Sequence, residues 1–91
     1  RMNKINYPDK IGLFDIKSKY EHKLYNEAYY YYKNYKLKLY LGDRIFYFEI
    51  VYVSPIGTRM LKEGVCRTLQ ECINNINEWC FLNDHLFLPG K

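Results

Sequence analysis

Ninety-one residues with three cysteines, 48% hydrophobic and 19% aromatic content and a formal charge of +4 suit one small folded domain over residues 1–91. A chain this short buries only about 60–65% of the surface it exposes when unfolded, which leaves one small core and little room for a deep catalytic pocket. Its aromatic density excludes a disordered chain, and no run reaches the ~18–20 apolar residues of a membrane span.

Residues 1–6 carry no apolar signal core, so the expectation is a cytoplasmic protein with no membrane partner. The charge is unevenly placed: residues 1–38 balance to +5 and residues 39–91 to −1. Nine of the eleven tyrosines lie at or before Tyr40. A basic, tyrosine-rich half is a pointer to an anionic or protein partner. Cys66, Cys72 and Cys80 are odd in number and unpaired in spacing, which fits buried thiols in a reducing compartment.

In chain order, residues 1–12 read as a loose lead-in with turn chemistry at Pro8-Asp9 and Gly12. Leu13, Ile16, Tyr20, Leu24, Ala28 and Tyr31 then recur at helical spacing. Asp15 can cap the start, so a helix is predicted over residues 15–29. The four tyrosines Tyr29–Tyr32 pull the other way, since tyrosine favours strands.

Alternation is clearest in Tyr35–Leu41 and Arg44–Ile50. A two-residue turn at Gly42-Asp43 joins these runs into a hairpin. That turn pairs Leu39 with Phe46, Leu37 with Phe48 and Tyr35 with Ile50 on one apolar side. Lys36, Lys38, Tyr40, Tyr47 and Glu49 fall on the other. After a turn at Ser54–Gly57, Thr58–Val65 reads as a third strand. Thr68-x-x-Glu71 is a capping box. It opens a helix whose Leu69, Cys72, Ile73, Ile76, Trp79 and Cys80 form one apolar stripe against the sheet. The tail, residues 84–91, either docks or adds a short edge strand.

The expected architecture is therefore α+β, in the order α-β-β-β-α, with a three-stranded antiparallel sheet packed by a C-terminal amphipathic helix. That element order resembles the double-stranded-RNA-binding domain. Residues 35–80 also resemble the three-stranded DNA-reading domains of the AP2/integrase N-terminal type. The first likeness implies a lysine cluster at the start of the last helix, where this chain has Cys66-Arg67-Thr68-Leu69-Gln70-Glu71.

Catalysis is not expected. Cys72 and Cys80 face the core, where a thiol behaves as a small hydrophobe. Cys66 is the one thiol that a helix N-terminus would activate, and neither His22 nor His85 has an obvious place beside it. The carboxylates are scattered and the glycines stand alone, with no phosphate-cradling loop. No metal is expected either: Cys72 and Cys80 lie about 12 Å apart along a helix, whereas sulfurs sharing a zinc lie within about 4.6 Å. No cofactor is implied.

What remains is binding. Tyrosine offers rigid, amphipathic contact area, and not all of the tyrosines before Tyr40 fit a small core. The candidate partner-binding residues are Tyr25, Tyr29, Tyr30, Tyr32, Lys33, Lys36, Lys38, Tyr40 and Tyr47. Tyr20 and Tyr31 are expected beneath the first helix and Tyr35 on the core face of the sheet. The expected function is a small binding or inhibitor protein, of the kind carried by phages and mobile elements, that docks on a larger protein or nucleoprotein. The alternative is nucleic-acid binding by the basic, tyrosine-bearing sheet face, with lysines on phosphates and tyrosines stacked on bases. AT-rich codon usage, which raises Lys, Asn, Ile and Tyr together, is the other source of a tyrosine excess.

Overall fold

Among the described residues, six strands follow one another along the chain and lie side by side in the same order, as an antiparallel meander. They are β1 (Lys10–Ile11), β2 (Phe14–His22), β3 (Tyr25–Tyr32), β4 (Tyr35–Leu41), β5 (Phe46–Ser54) and β6 (Gly57–Cys66), followed by one helix, α1 (Leu69–Leu82). The structure, a computed structural model, describes residues 5–22 and 25–87. Among the described residues no helix is long and apolar enough to cross a membrane.

This overturns the three-stranded α-β-β-β-α expectation. The segment predicted as a helix over residues 15–29 is the β2–β3 hairpin, in which Ile16 pairs with Tyr30 and Lys19 with Ala28. The helical spacing was coincidental. Lys17 is an extra residue between the pairs formed by Ile16 and Ser18, and such a bulge interrupts the two-residue alternation by which a strand is recognised. Leu24, a member of the supposed helical stripe, lies outside the described residues. The strand preference of four successive tyrosines prevails. Without a first helix, the order on which the likeness to the double-stranded-RNA-binding domain rested is absent. The three strands and helix compared with the AP2/integrase type are present as β4–β6 and α1, but they continue into three further strands of the same sheet.

The central hairpin forms with its turn one residue later than predicted. Tyr40 pairs with Tyr47, Leu39 with Phe48, Lys38 with Glu49 and Leu37 with Ile50, so every partner moves by two positions. Gly42 N–H donates to the Ile45 carbonyl at 2.8 Å, and Arg44 takes a positive φ of 64°. A shift of two preserves the face of every side chain, because strand side chains alternate with period two. The predicted faces therefore survive a wrong register.

The covered face holds Ala28, Tyr30, Leu37, Leu39, Phe48 and Ile50, all buried against Cys72, Ile76 and Cys80 of α1. Full burial of each large apolar side chain contributes about 1.5–3 kcal/mol. The helix begins as predicted, with the Thr68 hydroxyl accepting the Glu71 N–H at 3.1 Å.

The lead-in is structural from residue 5 onward. Tyr7 is buried and its hydroxyl donates to the Asn26 carbonyl at 2.8 Å. Ile5 and Ile11 pack on the same core. At the β1–β2 turn Gly12 has φ +58°, and a Cβ there would lie 2.9 Å from Cys80 Sγ. Glycine suits both the positive φ and the close helix. The tail docks. After a single 3₁₀ turn over Asp84–Leu86, Phe87 is buried among the rings of Phe14, Tyr32, Tyr35 and Trp79, at centroid distances of 6.2, 5.5, 4.9 and 5.7 Å.

Candidate functional site

Helix, lead-in and tail all lie on one side of the sheet, so the other side is open. Strand pairing arranges that open face in rows that cross β3 to β6. One row is Tyr31, Lys36, Val51 and Met60; the next is Tyr29, Lys38, Glu49 and Glu63; the third is Glu27, Tyr40, Tyr47 and Val65.

Neighbouring side chains in these rows bind one another. The rings of Tyr40 and Tyr47 stack with centroids 5.1 Å apart and planes 13° from parallel. Lys38 Nζ lies 4.7 Å from the Tyr40 ring centroid, 5.9 Å from that of Tyr29 and 3.8 Å from Glu27 Oε1. Tyr29 donates its hydroxyl to Glu27 Oε2 at 3.0 Å. Lys36 Nζ sits 5.9 Å from the Tyr29 centroid. An open hollow of about 490 Å³ lies among Tyr29, Lys36, Lys38, Glu49, Val51 and Met60. Burial, followed by the Glu49 carboxylate, holds the Tyr40 hydroxyl above the usual tyrosine range. It is a neutral donor at physiological pH.

Five of the nine residues expected to bind a partner therefore meet on one face: Tyr29, Lys36, Lys38, Tyr40 and Tyr47. Tyr30 does not belong to this surface. It is fully buried on the covered side, donates its hydroxyl to the Pro8 carbonyl at 2.8 Å, and is held above the usual tyrosine range by burial and then by Asp9. Tyr32 also lies on the covered side, half-buried against Phe87, with Tyr35 beside it as expected. Lys33 stands exposed at the β3–β4 turn, 5.3 Å above the Tyr32 ring and with φ 53°. Tyr25 opens β3 opposite His22; the side chains of Tyr25 and Tyr20 fall outside the described part of the structure.

Sequence reading missed Tyr31 and Glu27 as members of the open face, whereas Glu49 lies there as expected. Tyr31 was placed beneath a helix, yet it is 37% exposed. The signal was present: once residues 25–32 are read as a strand, parity sends Tyr29 and Tyr31 one way and Tyr30 and Tyr32 the other.

The thiols are held away from solvent. Cys66 is buried at the end of β6 and its Sγ accepts from Asn75 Nδ2 at 3.1 Å. Burial, with a hydrogen bond to Cys66 as the second cause, pushes the Cys72 thiol up to about 12. Cys80 is raised by burial. Among the described residues no group of three or more His, Cys, Asp or Glu side chains is placed to hold a metal ion.

Comparisons with protein-family models, curated proteins and solved structures found no match to this chain.

Proposed function

We propose that the protein is a non-enzymatic binding protein that docks on a larger protein through the open face of its sheet. One observation carries this reading. The sheet is packed on one side only, and the uncovered side holds Tyr29, Tyr40 and Tyr47 in ring–ring and lysine–ring contacts that fix their positions. Aromatic side chains ordered before a partner arrives lose little rotamer freedom on binding.

The charge of the same face favours a protein over a nucleic acid. Lys36 and Lys38 share their rows with Glu27, Glu49 and Glu63, and Lys38 is already beside Glu27. Phosphate binding needs uncompensated cations whose counterion release drives association. A mixed face of Tyr, Lys and Glu instead matches the polar, aromatic character of protein interfaces.

The test uses affinity purification from the native host, followed by binding of the purified partner to a Tyr40→Ser/Tyr47→Ser double variant. The expected result is at least a tenfold loss of affinity with an unchanged far-UV circular dichroism spectrum. Retention of full affinity by a folded double variant overturns the reading. Salt-sensitive binding of a labelled oligonucleotide, lost in Lys36→Gln/Lys38→Gln, would replace the protein partner by a nucleic acid.

A further inference from the structure

A linear meander has two edges. At one, β1 is only two residues long; at the other, β6 runs for ten residues and, among the described residues, has a strand neighbour on one side only. An open edge offers unpaired backbone N–H and C=O groups to any extended segment. The half of β6 nearest its turn is blunted: Leu61 is an extra residue between the pairs Ile50–Lys62 and Val51–Met60, and a bulge twists an edge away from pairing. Residues 62–66 are regular. Beside them α1 raises a wall, and a groove of about 250 Å³ runs between Lys62–Val65 on the strand and Asn75, Glu78, Trp79 and Leu82 on the helix. Gly64 puts no side chain into this space; the Phe48 ring lies across it, so close that a Cβ would stand 2.4 Å from Phe48 Cε2.

The other side of the same edge carries a charge defect. Glu49 and Glu63 are direct cross-strand partners, and like charges placed opposite each other destabilise a sheet. Among the described residues neither carboxylate forms an ion pair. In that row Lys38 stands beyond Glu49 on the inner side, and among the described residues no strand lies beyond Glu63. A seventh strand would place a side chain there.

We propose that residues 62–66 of β6 accept an extended segment of a partner protein as a seventh strand. Its outward side chain facing Glu63 is Lys or Arg, and its alternate side chains are apolar and enter the groove against Trp79 and Leu82. A second copy pairing through its own β6 does not supply that chemistry, because the outward side of β6 bears Thr58, Met60, Glu63 and Val65, with no cation. The site borders the open face at Glu63 and Val65, but it rests on backbone pairing at the edge and stands without the stacked tyrosines of that face.

The test titrates the intact protein with two capped heptapeptides, one alternating valine with lysine and the other valine with glutamate. The lysine peptide is expected to bind at least tenfold tighter and to slow amide hydrogen exchange at residues 62–66 at least tenfold. Glu63→Lys reverses the preference, and Glu63→Gln abolishes it. Glu63→Lys also melts no lower than the parent, since a like-charge pair is removed. Tyr40→Ser/Tyr47→Ser leaves peptide binding unchanged, which separates this site from the open-face reading. The proposal is overturned by equal affinity for the two peptides, by absence of binding, by protection elsewhere in the chain, or by a preference that survives Glu63→Lys. Concentration-dependent dimerisation that protects residues 62–66 without peptide also overturns it, in favour of a second copy.

Discussion

The two faces of the sheet are built from the same strands and from much the same residue types, yet they use tyrosine in opposite ways. On the covered face Tyr30 loses all solvent exposure and its hydroxyl is committed to the Pro8 carbonyl. Tyr32 and Tyr35 meet the Phe87 ring there. On the open face Tyr40 and Tyr47 stack on each other, and the lysines lie over tyrosine rings. Burial fixes the first group for stability. Lateral contact fixes the second while leaving it accessible. The lesson is that a tyrosine-rich composition can serve core and surface together, with strand parity as the divider.

The sharpest way to break this contrast is to truncate one aromatic on each side. Phe87→Ala removes a buried ring with four aromatic neighbours and is expected to cost about 3–5 kcal/mol. Tyr47→Leu removes a stacked partner on the open face and costs about 0.5–1.5 kcal/mol. Urea unfolding of both variants checks the ratio, and equal losses would erase the distinction.

Alkali probes both faces, and the covered one more strongly. The Cys72 thiol is raised by burial from an ordinary 9.0 to about 12, and the Tyr30 hydroxyl is raised by burial as well. Both groups are neutral when protonated, so at high pH the unfolded chain binds fewer protons than the native one. Stability is therefore full below pH 9 and falls as pH rises from 9 toward 12. Thermal melts across that range should show the decline, and Cys72→Ala should flatten its first part.

Single hydroxyls on adjacent residues sharpen the comparison further. Tyr30→Phe leaves the Pro8 carbonyl without its donor and costs about 1–2 kcal/mol. Tyr31→Phe, one residue away on the exposed side, stays within about 0.5 kcal/mol of the parent. The smallest effect tests the hairpin register on which both faces depend. Arg44 sits at φ 64°, which costs a non-glycine residue about 1–2 kcal/mol. Arg44→Gly is then expected to be neutral to about 1 kcal/mol stabilising, the gain being offset by the freer unfolded chain. A destabilised Arg44→Gly would place the turn back at Gly42-Asp43.

Much of the molecule was legible from its residues. The Thr68 cap, the α1 stripe, the turn at Ser54–Gly57 and both faces of the β4–β5 hairpin follow from local chemistry and alternation. Residues 14–32 were not legible, for an identifiable reason. The bulge at Lys17 breaks the alternation of β2, and the polar Lys19 stands opposite the buried Ala28, so no two-residue pattern remained to compete with a chance helical one. The lead-in and tail were equally opaque. Tyr7 and Phe87 are single aromatics in short irregular segments, and only contacts distant in sequence, to Asn26 and to Phe14, Tyr32 and Tyr35, give them a place. Of the candidate surface, Lys36, Lys38, Tyr40 and Tyr47 were readable by parity in the hairpin; Tyr29 entered only as a surplus tyrosine, and Tyr30 was misassigned because their strand was missed.

The sequence by itself determined which side chains share a face in the hairpin, since strand side chains alternate whatever the register. It also determined where the helix starts and which stripe it buries, because capping and periodicity are local. Tertiary structure decided how many strands the sheet has, which end of the chain closes the core, and which face stays open. Those outcomes rest on packing between segments far apart in the chain, where the free energy of burial, rather than any local preference, selects the partner.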